Sequence, residues 1–119
     1  MTNKVYIIAE AGVNHNGSLQ LAYELCDKAK DSGVDAVKFQ TWVTERIICK
    51  DTKMADYQKE NLGVDDSQFD MLKKLELSYE DFAQIKEYCD RIGIEFLSTG
   101  DTEDDIKYLV NLGMDKIKL

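Results

Sequence analysis

Proline is missing altogether from the 119 residues, so chain reversals must rest on Gly, Asn, Asp and Ser. Histidine occurs once, at His15 in an Asn/Gly-rich stretch. A lone imidazole there reads as a turn or hydrogen-bonding residue beside the pocket, since a metal site needs further ligands. The cysteines, Cys26, Cys49 and Cys89, are odd in number, far apart and free of any CxxC pair, which argues against zinc or dithiol chemistry. Cys26 and Cys89 fall in helical apolar stripes and read as small buried hydrophobes, whereas Cys49 lies in a polar loop. No run approaches the ~18 apolar residues of a membrane helix, and Met1-Thr2-Asn3-Lys4 has no signal-peptide pattern. A cytoplasmic protein is expected. Basic charge is also short, with 15 Lys and Arg against 23 Asp and Glu and a net charge of −8. Such a surface repels phosphate backbones and anionic lipids, so neither nucleic acid nor a membrane is expected as a partner.

What is present is an ordinary globular balance, 44% hydrophobic and 32% charged, long enough for one domain with a real core. Val5 to Ala9 is a continuous, β-branched-rich apolar run of strand length that ends at Glu10. Leu19, Ala22, Leu25, Cys26 and Ala29 then recur at helical spacing, with Gly33 where the helix would stop. Asp35 to Thr41 reads as a second strand, completing a parallel strand, helix, strand unit. Residues 42–66 are polar and aperiodic and read as a long strand-to-helix loop, of a kind usually functional or mobile. A short helix is expected over Ser67 to Leu75. Ser78-Tyr79-Glu80-Asp81 is a capping signature ahead of the stripe Phe82, Ile85, Tyr88, Cys89 and Ile92. Gly93, a strand from Ile94 to Thr99, a cap at Thr102, another helix ending at Gly113, and a fourth strand from Asp115 to Leu119 complete the order βαβαβαβ. That order builds either an open doubly wound sheet or part of an eight-stranded barrel of ~250 residues, in which case the chain is a truncated half.

Side chains alternate faces along a strand, so Ile8 pairs with Glu10, Lys38 with Gln40, Leu97 with Thr99, and Lys116 with Lys118. If the opposite faces pack on helices, Glu10, Lys38, Gln40, Thr99 and Lys118 converge at the carboxyl ends of parallel strands, where such folds place their sites. Two lysines and a hydroxyl suit a small, multiply anionic ligand, an amide such as Gln40 reads sugar hydroxyls, and a buried carboxylate could move a proton. The same residues could equally form a structural ion pair between Glu10 and Lys38 or Lys118. Tyr57, Gln58, Lys59, Glu60 and Asn61 in the long loop could touch a substrate or simply be solvated. Asp104 and Asp105 read as first-turn partners of a helix dipole.

The segments IIAEAGVNHNGS, GVDAVKFQT, ADYQKEN, LKKLELS and GIEFLSTG, in this order and spacing, resemble the amino-terminal part of the sialic acid synthase family, which includes N-acetylneuraminate and legionaminate synthases. The resemblance covers the whole chain. It implies a (β/α)8 TIM barrel, of which residues 1–119 are an amino-terminal half, that condenses phosphoenolpyruvate with an open-chain N-acetylmannosamine-type sugar and releases phosphate. It matches Glu10 to an active-site glutamate that stabilises a cation or accepts a proton from water. Lys38, Thr99 and Lys118 match phosphoenolpyruvate-holding positions, and Gln40 and Asn61 match positions near the acceptor sugar. Gly100-Asp101 stands where many members have Pro-Phe. The implied cofactor is a divalent metal, Mn or Mg, whose two histidine ligands are not among these residues, and the implied assembly is a homodimer. Two alternatives remain: a non-catalytic half-barrel that binds a sugar or self-assembles, and another phosphoenolpyruvate-dependent aldol-type synthase.

Overall fold

The computed structural model describes residues 4–48 and 65–118. Three parallel strands, β1 (Ile8–Gly12), β2 (Ala36–Thr41) and β3 (Glu95–Gly100), form one sheet in the order β1-β2-β3. Helix α1 (Leu19–Asp31) makes the first crossover. After β2 come a single turn, α2 (Thr44–Ile47), then α3 (Asp65–Leu75) and α4 (Tyr79–Ile92), and α5 (Glu103–Asn111) follows β3. The long loop therefore begins with a helical turn that the aperiodic sequence did not announce, and Cys49, Tyr57, Gln58, Lys59, Glu60 and Asn61 lie outside the described residues.

The helices start where short polar side chains can take up orphan backbone N–H groups. Ser18 accepts from the Leu21 N–H at the start of α1. Ser78 with Asp81 and Thr102 with Asp105 form reciprocal capping boxes at α4 and α5. Packing then sorts the two faces of the sheet. Helix α1 lies on β2 and against α4, while α4 and α5 lie on β3. The core between them holds Ala22, Cys26, Val37, Phe39, Phe82, Ile85, Cys89, Phe96 and Leu109. Phe39 stacks on Phe96 at 6.1 Å, and Phe96 meets the Phe82 ring at 6.4 Å. Thr41 and Ser98 satisfy each other by a buried 2.7 Å hydrogen bond on that covered side.

Two expectations need correction. The first strand begins at Ile8, three residues later than its apolar run suggests, because pairing starts at Ile8 opposite Ala36. The preceding Val5, Tyr6 and Ile7 are exposed. Ile7 is tied to the start of β2 outside the ladder: its N–H donates to the Asp35 carboxylate at 2.8 Å, and its carbonyl accepts the Asp35 and Ala36 N–H groups at 2.9 and 3.2 Å. The expected fourth strand is absent from the described residues, since 114–118 join no ladder. Side chains hold this segment to β3: Met114 Sδ accepts the Ser98 N–H at 3.3 Å, and Lys116 Nζ reaches both Glu95 carboxylate oxygens at 3.0 Å. A donor that a neighbouring carbonyl would take in a sheet is here taken by sulfur. No helix among the described residues is long and apolar enough to cross a membrane.

Candidate functional site

The face of the sheet away from the helices carries the polar residues, and register brings them together. Glu10 lies opposite Lys38, and Gln40 opposite Thr99. Lys38, on the central strand, forms an ion pair with Glu10 and donates a long hydrogen bond, 3.4 Å, to Thr99 Oγ1. Its side chain is only 13% exposed whereas that of Glu10 is 51% exposed. The cation is therefore the desolvated member, and the carboxylate faces solvent. Burial strengthens any electrostatic contact at the ammonium group, which favours an anion as its further partner.

A bulge between Glu10 and Gly12 shifts the register of β1 before its last pair, Gly12 with Phe39. Gly12 adopts φ +55°, and a methyl group there would lie 3.5 Å from Glu10 Oε1 and 3.7 Å from Gln40 Nε2. The positive φ favours glycine at this bulge, and the Glu10 carboxylate and Gln40 amide both lie on the side where a side chain would project. Lys118 joins from the trailing segment: it lines, with Ile8, Lys38, Leu97, Ser98, Lys116 and Ile117, a cavity of about 350 Å³. Lys116, which lines the same cavity, is paired with Glu95. Glu10, Lys38, Gln40 and Thr99 therefore share one face of the sheet, from mid-strand at Glu10 and Lys38 toward the carboxyl end at Gln40 and Thr99, Lys118 reaches the adjoining cavity, and Asn61 is outside the described residues.

His15 is the hydrogen-bonding turn residue that the sequence suggested, but it is buried on the covered side of the sheet instead of standing beside the pocket. It has no exposed surface, its ring lies 6.1 Å from that of Phe39 on the helix-covered side, and its Nδ1 accepts the Gly17 N–H at 2.9 Å. Burial lowers its pKa below the ordinary 6.5. It is a buried turn residue of the loop that follows Glu10. Among the described residues no three His, Cys, Asp or Glu side chains come together to hold a metal. The implied divalent ion has no fitting ligand set here.

Sequence reasoning missed two polar clusters that frame the carboxyl end of the sheet. Glu76 Oε1 accepts from both the N–H and the hydroxyl of buried Thr44, each at 2.8 Å, and the Trp42 indole donates to Thr44 Oγ1 at 3.0 Å. Lys73 bridges Glu45 at 2.9 Å and Glu76 at 3.3 Å. Asp105, expected as a first-turn dipole partner behind the Thr102 cap, is fully buried. It closes a capping box and accepts from Tyr79 Oη at 2.6 Å, while Arg46 Nη1 donates to the same phenol at 2.9 Å. Burial and then the bond to Asp105 raise the Tyr79 pKa. The contacts 28 and 32 residues apart in sequence leave no periodic signature. The capping spacing of Thr102 and Asp105 was the one available clue.

A family model described as the NeuB family matches residues 25–119. N,N'-diacetyllegionaminic acid synthase of Legionella pneumophila is 51% identical over 114 residues, which is 96% of this chain and 32% of that protein. Its namesake in Campylobacter jejuni is 40% identical over 98% of this chain and 35% of its own length. The crystal structure of N-acetylneuraminic acid (sialic acid) synthetase from Leptospira borgpetersenii superposes with a TM-score of 0.77 at 29% identity, over 98% of this chain and 36% of that one. The chain spans about a third of the length of these relatives.

Proposed function

We propose that this chain, which belongs to the NeuB family, supplies the anion-holding and carboxylate part of a synthase that condenses phosphoenolpyruvate with an N-acetylated amino sugar to give a nonulosonic acid. The observation that carries the reading is the Glu10–Lys38–Thr99 constellation on one face of the parallel sheet, with Gln40 beside it. The names of the relatives, legionaminic, pseudaminic and neuraminic acid synthases, support the same chemistry.

In this reading the largely buried Lys38 ammonium and the Thr99 hydroxyl hold the carboxylate or phosphate of phosphoenolpyruvate, with Lys118 across the cavity adding charge. The enol carbon of phosphoenolpyruvate forms the new bond to the sugar aldehyde carbon as the C=O π bond opens and its oxygen takes up a proton to become a hydroxyl, leaving C2 electron-poor. Water adds to C2, phosphate departs, and a 2-keto acid remains. Glu10 faces this position from beside Lys38 and either stabilises the positive charge or takes the proton of the water. Gln40 presents an amide to the sugar hydroxyls. No three His, Cys, Asp or Glu side chains among the described residues form a ligand set for the divalent metal of this reading. A soluble, cytoplasmic homodimer is the setting we assign.

Calorimetric titration of the chain with phosphoenolpyruvate tests the anion site. Binding is expected, and Lys38→Ala should weaken it by about 10- to 100-fold, the worth of a charge-assisted hydrogen bond. No heat of binding by the unaltered chain, or equal binding by Lys38→Ala, would overturn the reading.

A further inference from the structure

Behind the sheet, on the face away from Glu10 and Lys38, α1 and α4 bring two thiols together. Cys26 Sγ lies 3.5 Å from Cys89 Sγ, both cysteines are free, and neither has exposed surface. The helix pair is registered on either side of them. Tyr23 stacks on Tyr88 with ring centroids 4.5 Å apart, Tyr88 Oη donates to Asp27 Oδ1 at 2.6 Å, and Lys30 Nζ donates to the Gly93 carbonyl at 3.0 Å. Two turns of facing helix are thereby fixed with the sulfurs already in contact. A disulfide bond is ~2.05 Å long, so the sulfurs need approach by about 1.5 Å, a movement that rotation of two side chains and a small helix shift can share.

We propose that Cys26 and Cys89 are a disulfide site, a covalent staple between α1 and α4 that closes when the protein meets a two-electron oxidant of the peroxide class. Two S–H bonds break and one S–S bond forms. The two electrons and two protons pass to hydrogen peroxide, whose O–O bond breaks to give two waters. The staple joins the strand-helix-strand unit that carries Glu10 and Lys38 to the helix-strand unit that carries Thr99, across 63 positions of sequence. The hydrogen bond with Cys26, and then burial, hold the Cys89 thiol far above the ordinary thiol range. The Cys89 thiolate is therefore scarce at neutral pH, and attack by Cys89 is slow and speeds up as pH rises.

The test is oxidation of the folded chain with hydrogen peroxide, a quench with iodoacetamide, and peptide mapping by mass spectrometry. The expected product is a linked Cys26–Cys89 peptide pair, retained in Cys49→Ser and lost in Cys89→Ala, and a higher urea midpoint for the oxidised than for the reduced chain. If Cys89→Ala does not fold, Cys26→Ala and the map of the unaltered chain decide the matter. Recovery of both residues as alkylated thiols or sulfinic acids, linkage to Cys49 instead, or a lower midpoint after oxidation would each overturn the proposal.

Discussion

His15 donates nothing within hydrogen-bond reach: Nδ1 accepts the Gly17 N–H, so the ring proton sits on Nε2, which is buried without a partner among the described residues. A second proton would have to go on Nδ1, breaking that bond inside the fold. The folded pKa is accordingly lowered by burial, while the unfolded chain titrates near the ordinary 6.5. The unfolded state therefore binds more protons as pH falls, and the stability that neutral His15 provides is present above 6.5 and lost below it. Urea midpoints at pH 7.5 and 5.5 should show a loss on acidification that is smaller in His15→Leu. At pH 7.5 that variant should itself cost about 1–3 kcal/mol, because it strands the Gly17 N–H. The neighbouring Gly17 is constrained differently. It has φ +75°, and a methyl group there would lie 2.0 Å from the Lys74 carbonyl oxygen, so Gly17→Ala should cost several kcal/mol and lower the thermal midpoint. Strand parity made Glu10, Lys38, Gln40 and Thr99 legible because alternation is periodic. His15 was legible as a hydrogen-bonding turn residue but not as a buried one, since the direction of a loop side chain has no period.

At the level of elements, local chemistry was readable and partner-dependent geometry was not. The capping boxes at Ser78 and Thr102 stood in the sequence because each spans one turn. The start of β1 did not, because Val5, Tyr6 and Ile7 have every strand propensity, and only the position of Ala36 decides where pairing begins. The same holds for 114–118, where Met114 and Lys116 use side chains on the edge of β3. The junction of α3 and α4 shows how an element boundary can be held from afar. Glu76, with its side chain 15% exposed, satisfies two donors of Thr44, which has no exposed surface. Removing the carboxylate leaves both donors buried and unpaired. Glu76→Ala should cost about 2–4 kcal/mol by urea denaturation. Glu76→Gln, which keeps one acceptor oxygen, should cost less. Equal stability of Glu76→Ala and the unaltered chain would contradict this account of the junction.

Across the whole molecule, the leading and trailing segments are gathered by one carboxylate. Glu95, at the start of β3, accepts from Tyr6 Oη, 89 positions earlier, and from Lys116, 21 positions later, whose ammonium also lies 4.7 Å from the Tyr6 ring centroid. Its side chain is 27% exposed, so the cluster is partly screened and its worth is that of a small network, about 1–2 kcal/mol. Burial pushes the Glu95 carboxyl up, but the bonds to Tyr6 and Lys116 outweigh it, and the folded pKa lies below the ordinary 4.5. The stability it contributes is therefore fully present above 4.5 and lost as pH falls through the folded value. Lys116 also lines the cavity with Lys38 and Lys118, so the cluster holds the wall of the candidate site on which Lys118 rides. Glu95→Gln keeps the shape but removes the charge. It should lower stability by about 1–2 kcal/mol at pH 7, flatten the acid limb below pH 4.5, and speed hydrogen exchange at 114–118 ahead of the sheet. Phosphoenolpyruvate binding should weaken in the same variant although Lys38 is untouched. Unchanged exchange at 114–118 would overturn this role of Glu95 in holding the trailing segment.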